Sequence, residues 1–150
     1  MPMLIRAVQI TDGAVMELGA GIFSTPLLHW LCAGDGRSLV TYEKDPKYYG
    51  FARKFMSRTH RICLVDDWDK IDIKTHWSVV LIDQDNKRGE TALLLKDSAD
   101  YIILHDSEEE KLYGYDKIWE HFKYRYDWKE CSPWTTVVSN FKDLSDMRKN

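Results

Sequence analysis

Cysteine is scarce and scattered. The chain of 150 residues carries three, Cys32, Cys63 and Cys131, with no CxxC pair and no Cys/His cluster. That excludes a disulfide framework and a zinc site of ordinary spacing. Cys32 and Cys63 lie in apolar runs and read as small buried hydrophobes, which fits a reducing, cytoplasmic setting. Positive charge is not in surplus either. Lys and Arg number 21 against 24 Asp and Glu, a net charge of -3, so no whole-molecule field draws in nucleic acid and no nucleic-acid partner is expected. No apolar stretch approaches the roughly 20 residues that span a bilayer. The apolar run in MPMLIRAVQITDG is too short for a signal peptide or an anchor. Repeats, low-complexity tracts and linkers are also missing. A chain of 150 residues is expected to form a single domain, 1–150, large enough to bury its own core.

What is present is an alternation of strand and helix signals. Residues 3–10 suit a short helix or a lead-in strand. Asp12-Gly13 marks a turn, and 14–18 form a first strand. A helix follows, with Thr25 as N-cap, Pro26 at its first position and Gly34 and Gly36 as its stop. Residues 38–42 are a second strand. A helix over about 46–58 shows Tyr48, Phe51, Ala52 and Phe55 on one face. Residues 61–65 are a third strand and 77–82 a fourth. Residues 87–96 read as helix, 101–104 as a fifth strand, and 114–123 as a last helix. Residues 124–130 and 134–139 close the chain as an antiparallel hairpin, and the polar tail DLSDMRKN is expected to fray. The pattern predicts an α/β fold: a three-layer α/β/α sandwich on a mostly parallel seven-stranded sheet with a C-terminal antiparallel hairpin. In such sheets ligands bind at the carboxyl ends of the strands. There the first five strands end in acids: Glu17, Glu43, Asp66 with Asp67, Asp83 and Asp106.

The first strand runs into Glu17-Leu18-Gly19-Ala20-Gly21, a glycine turn that lets backbone approach a ligand. Glu43, at the end of the second strand, is placed to accept from both hydroxyls of a ribose. A dinucleotide site wants G-x-G-x-x-G, because the pyrophosphate must reach the helix N-terminus. Here the third glycine position is Ser24, and Glu17 would lie near the phosphate path. An acid there suits a ligand with an ammonium group instead, and that points to S-adenosylmethionine.

Glu17-Leu18-Gly19-Ala20-Gly21 resembles motif I of the class I S-adenosylmethionine-dependent methyltransferases, a Rossmann-like family. Leu39 to Glu43 resembles their acidic second motif, Asp66-Asp67-Trp68 their adenine-contacting turn, and Val80 to Asp83 their fourth-strand motif. The closing hairpin matches their antiparallel seventh strand. The resemblance implies that Glu17, Gly19, Ala20 and Gly21 flank the methionine part of the cofactor, with Ser24 and Thr25 in contact as well. It implies that Glu43 and Lys44 lie at the ribose and that Asp66 and Asp67 lie at the adenine. Trp68 either borders the ring or belongs to the core. Phe23 departs from the family, standing where many members have a further glycine.

Methyl transfer requires an acceptor aligned with the methyl–sulfur axis and, for an oxygen acceptor, a base. Asp83, His105 and Asp106 are the catalytic candidates. The same trio resembles small-molecule O-methyltransferases in which strand-end carboxylates hold Mg²⁺. Asp83 and Asp106 occupy the matching positions, with Asp85 or Glu108 as a third ligand. Arg88 either pairs with Asp83, binds an anionic substrate, or is a surface arginine. Glu108-Glu109-Glu110-Lys111 reads as a solvated helix start rather than a metal cluster. The fourth strand ends Asp83-Gln84-Asp85-Asn86, without the Pro-Pro-aromatic pattern of adenine and glutamine N-methyltransferases. No Pro-Cys pair suits cytosine C5 chemistry. A hydroxyl acceptor is favoured, on a small molecule, a glycan or another partner suited to an open site. Little chain is left for a lid, so either the acceptor is large or a second subunit of a homodimer covers the site. The aromatics of 113–134 would form that interface or a sugar-stacking wall. The competing readings are an NAD(P)-binding Rossmann oxidoreductase and a non-catalytic cofactor-binding interaction domain.

Overall fold

The computed structural model describes residues 1–148. Its strands are β1 (Val15–Leu18), β2 (Leu39–Glu43), β3 (His60–Leu64), β4 (Trp77–Ile82), β5 (Ala99–His105), β6 (Tyr124–Trp128) and β7 (Thr135–Ser139), and its helices are α1 (Pro2–Gln9), α2 (Ser24–Gly34), α3 (Pro46–Ala52), α4 (Arg88–Leu95) and α5 (Glu110–Tyr113). The seven strands form one sheet in the order β3-β2-β1-β4-β5-β7-β6. β1 to β5 run parallel, and β7 lies antiparallel between β5 and β6. The order reverses direction at β1 and β4. That is the switch point where the loops diverge and leave a crevice.

Strand parity decides what each face buries. In β1, Val15 packs with Met3, Leu4, Leu28 and Cys32 of α1 and α2, whereas Met16 and Leu18 pack with Trp68, Ala92 and Leu95 on the α4 side. β1, β2 and β4 are buried along their whole length, which explains why their sequences are mainly apolar on both faces. Parity also sends polar residues to the α2 face. Glu17 pairs in register with Thr41, and Leu39 with His60. This places Glu17, Thr41 and His60 on the same side.

Several local expectations are corrected. Thr25 does not cap α2; Phe23 takes the N-cap position, without a side-chain cap, because the Thr25 hydroxyl is drawn inward to Glu17. α3 ends at Ala52 and gives way to a 3-10 turn, Arg53–Phe55. Only Ala52 of its apolar stripe is buried, and Tyr48 is 46% exposed. The span 114–123 is not one helix. α5 ends before it, at Tyr113; Gly114 follows with φ +71°, and the span itself holds two 3-10 turns, Tyr115–Lys117 and Trp119–His121. The tail does not fray over its described part: Leu144 and Met147 are 1% exposed and join the α1 side of the core. Lys149 and Asn150 lie outside the described residues. Arg37, unnoticed in sequence, is 5% exposed. It donates to Val8 O, Gly13 O and Thr11 Oγ1, tying the end of α1 to the entry of β1. No helix among the described residues is long and apolar enough to cross a membrane.

Candidate functional site

A cleft of about 660 Å³ opens at the switch point. Gly19, Ala20, Gly21, Ser24, Glu43, Lys44, Asp83 and His105 line it, together with Ile22, Phe23, Asp45, Pro46, Tyr48, Gln84 and Asp85. The sequence reading had not assigned the second group to the cofactor site. Phe23 and Ile22, 73% and 59% exposed, form an apolar rim, so the residue that departs from the family pattern faces the open side.

The glycine turn is held by two contacts. Gly19 has φ +88°, and a Cβ there would meet Asp83 O at 2.5 Å, so the β1 and β4 loops touch backbone to backbone. The Glu43 carboxylate then splints the turn. Its Oε2 accepts from Ala20 N at 2.6 Å, and its Oε1 accepts from Lys44 N and Asp45 N at 2.6 and 2.7 Å. Asp45 in turn caps α3 through Lys47 N.

Glu17 lies beneath this turn, fully buried, and is not among the cleft-lining residues. Its Oε2 accepts from Thr25 Oγ1 at 2.9 Å and Thr41 Oγ1 at 2.7 Å, while Thr25 Oγ1 accepts from Gly21 N. Its Oε1 and the Ser24 Oγ are buried without an in-line partner. Burial pushes its pKa up to about 7, against the hydroxyls of Ser24, Thr41 and Thr25. The chain of contacts continues outward. Thr41 Oγ1 lies 2.8 Å from His60 Nε2, and His60 Nδ1 lies 3.1 Å from His29 Nδ1. Burial, then the neighbouring His29, lowers the His60 pKa to about 4.

The third-strand turn stands apart from the cleft lining. Asp66 pairs with Lys70. Asp67 accepts from Asp69 N and Lys87 Nζ. Trp68 is 1% exposed and belongs to the core, which removes it as a stacking surface. Its indole N–H donates to Asp85 Oδ1 at 2.8 Å, so Trp68 reaches the cleft only by holding Asp85.

The far end of the cleft is built around Arg88. It is not a surface arginine: it is 5% exposed. Its Nη2 lies 3.1 Å from Asp83 Oδ1 and its Nη1 3.1 Å from Asp106 Oδ2. His105 Nδ1 lies 3.2 Å from Asp83 Oδ1 and 2.9 Å from Asp106 Oδ1, although neither contact is in line and the nitrogen is buried without an aligned partner. Asp83, working against burial, holds the His105 pKa above its ordinary value. The sequence signals missed here are Arg88-Gly89 and Tyr113-Gly114-Tyr115. A Cβ on Gly89 would meet Gly114 O at 2.6 Å, and this close approach brings Tyr113 under the guanidinium and the Tyr115 hydroxyl to His105 O.

Asp83, His105 and Asp106 can bring one ligand atom each within 4.8 Å of one another, but the donor set does not fit Mg²⁺. Arg88 already spans both carboxylates. A dication about 4 Å from a guanidinium meets a repulsion on the order of 8 kcal/mol at an effective dielectric of 20, set against carboxylates whose charge Arg88 already offsets. The further ligands considered are also engaged: Asp85 with Trp68, and Glu108 with Trp134 N and Ser132 Oγ.

No family model and no curated protein sequence matches the chain. Solved structures do. The precorrin-6y C5,15-methyltransferase of Geobacter metallireducens superposes with a TM-score of 0.64 at 14% identity, over 90% of this chain and 83% of that one. The N-terminal domain of human METTL16, solved in complex with SAH, gives 0.62 at 12% over 92% and 66%. The spermidine synthase of Thermotoga maritima gives 0.64 at 16% over 97% and 58%. The chain has the class I methyltransferase fold: a Rossmann-like sheet closed by an antiparallel hairpin.

Proposed function

We propose that the chain is an S-adenosylmethionine-dependent methyltransferase acting on a hydroxyl acceptor that approaches an open cleft. The observation that carries this reading is the splinted glycine turn. Gly19 at φ +88° lies against Asp83, with Glu43 fixed beside it by three backbone N–H groups. An acceptor-rich floor of this kind suits a ligand that brings hydroxyl donors and positive charge, whereas a pyrophosphate would meet carboxylates. When bound, S-adenosylmethionine supplies a methyl group activated by a sulfonium. Glu43 would take the ribose hydroxyls, and the Gly19–Gly21 backbone would face the methionine part. Glu17 would act from below, by fixing Thr25 and the turn. His105 and Asp83 lie where the acceptor would enter. The imidazole is the residue in this group suited to removing a hydroxyl proton.

The exposed rim at Ile22 and Phe23 and the cleft's open side favour an acceptor larger than the cleft itself, such as a sugar on a carrier or a protein side chain. Titration calorimetry with S-adenosylhomocysteine, S-adenosylmethionine and NAD tests the cofactor. Binding of S-adenosylhomocysteine, and none of NAD, is the expected result; binding of NAD alone would overturn the reading. Radiolabelled methyl transfer to arrayed glycan and protein acceptors then tests catalysis. S-adenosylhomocysteine binding with no transfer to any of them would favour a cofactor-binding interaction domain.

A further inference from the structure

Arg88 is committed on every side. Its Nε donates to Gln84 O, and its Nη1 donates to His105 O as well as to Asp106 Oδ2. Its Nη2 faces Asp83 Oδ1, and the Tyr113 ring lies 3.8 Å from its central carbon. The backbone on both sides bends to allow this. Lys87, just before Arg88, has φ +55° and Asp106 has φ +51°; a left-handed conformation in a residue other than glycine persists only where its surroundings fix it. One cation thus sits between two carboxylates, and each carboxylate also reaches the same histidine nitrogen.

We propose that Arg88 is the built-in cation of the reaction end: it takes the place between Asp83 and Asp106 that a divalent metal would need, and it makes acceptor activation the task of a metal-free His105. The positioning works through the two carboxylates. Each is held from behind by the guanidinium, so both are presented to His105 Nδ1. That nitrogen is buried while the ring lines the cleft, so Nε2 is left for the acceptor. In the step this implies, the acceptor O–H proton passes to Nε2 as the oxygen–carbon bond forms. The methyl–sulfur bond breaks with its electron pair going to sulfur, leaving a thioether and an imidazolium whose Nδ1–H lies between Asp83 and Asp106. Arg88 touches no reactant and is a positioning residue.

The chemical step rests on the methyltransferase reading, but exclusion of the metal does not, and it can be measured without an acceptor. Mn²⁺ is titrated into the intact chain and followed by electron paramagnetic resonance, for wild type, Asp106→Asn, Arg88→Gln, Arg88→Lys and the Arg88→Gln/Asp106→Asn double variant. Wild type and Asp106→Asn should bind alike. Arg88→Gln should gain a site at least tenfold tighter than any in wild type, which the double variant loses again. Arg88→Lys, which keeps the charge, should stay like wild type. The proposal is overturned if wild type holds Mn²⁺ at a site that Asp106→Asn abolishes, or if folded Arg88→Gln gains nothing. Should Arg88→Gln fail to fold by circular dichroism, the wild-type and Asp106→Asn pair decides alone. Calorimetry with S-adenosylhomocysteine on the same samples keeps the two ideas apart. Absence of that binding with the Mn²⁺ pattern intact would sink the methyltransferase reading and leave the assignment of Arg88 standing.

Discussion

Glu17→Gln is expected to change how stability depends on pH, in a direction opposite to that of ion-paired carboxylates. Glu17 is 0% exposed, and its pKa rises from 4.5 unfolded to about 7 folded, mainly through desolvation. The folded protein therefore holds a proton that the unfolded chain has released. Stability from this group is complete below pH 4.5 and is lost as pH climbs through 7. At roughly 1.4 kcal/mol per factor of ten in proton affinity, the loss is on the order of 3 kcal/mol. His60, joined to Glu17 through the Thr41 hydroxyl, has the opposite slope. Its pKa falls from 6.5 to about 4, so folding excludes a proton that the unfolded chain takes up. Its contribution is complete above pH 6.5 and fades as pH drops through 4. Between pH 4.5 and 6.5 the two slopes cancel. Urea unfolding at pH 5, 6 and 7.5 separates them. Relative to wild type, Glu17→Gln should gain about 2 kcal/mol between pH 5 and pH 7.5. That gain comes on top of a constant cost of roughly 1–2 kcal/mol for a buried hydrogen bond that the amide NH2 cannot accept. His60→Gln should show the mirror trend. A wild-type-to-variant difference that stays constant with pH would refute the reasoning, because Glu17 would then titrate alike in the folded and unfolded chain.

Gly19→Ala should cost about 2–4 kcal/mol and abolish S-adenosylhomocysteine binding, since left-handed backbone and the Asp83 carbonyl both reject a methyl group; denaturant melts and calorimetry check it. Arg37→Met should cost about 2–4 kcal/mol without altering the cleft, because Val8 O, Gly13 O and Thr11 Oγ1 lose a buried charged donor. Its signature is a lower unfolding midpoint with unchanged ligand affinity in the fraction that remains folded.

The sheet was legible because buried parallel strands must be apolar on both faces, and the boundaries of β4 agree to the residue. Where the reading failed, tertiary contact had overridden a local signal. Thr25-Pro26 looks like a cap, yet the threonine hydroxyl has a stronger use on Glu17. Residues 114–123 carry helical spacing, but Gly114 opens them at φ +71° with its carbonyl packed where a Cβ on Gly89 would sit, and the chain beyond it closes into 3-10 turns. Trp68 has the right place in the chain for an adenine contact, and packing turns it into the core. Arg88 was the hardest to read: a charged residue at a helix start is ordinarily solvated, and only the approach of the Tyr113–Tyr115 turn makes a buried site for it.

The row of strand-end acids looked uniform in sequence, and six like charges along one sheet edge would repel. The fold removes that repulsion differently at each position. Glu17 is buried and shifted toward its neutral form, Asp66 and Asp67 face lysines, and Asp83 and Asp106 share Arg88. Glu43 is held by backbone N–H groups, so among these acids its charge is the one directed into the cleft with no cationic side chain of the described residues paired to it. Cofactor affinity should therefore be concentrated there and not spread over the motif. Glu43→Ala is expected to weaken S-adenosylhomocysteine by about 1–3 kcal/mol, the worth of a charged acceptor for hydroxyl donors, while Asp67→Asn should leave affinity within about 0.5 kcal/mol, as for a surface change remote from the ligand. Calorimetry on the two variants side by side discriminates: equal losses would mean that the ligand extends over the third-strand turn, outside the cleft formed by β1, β2 and β4.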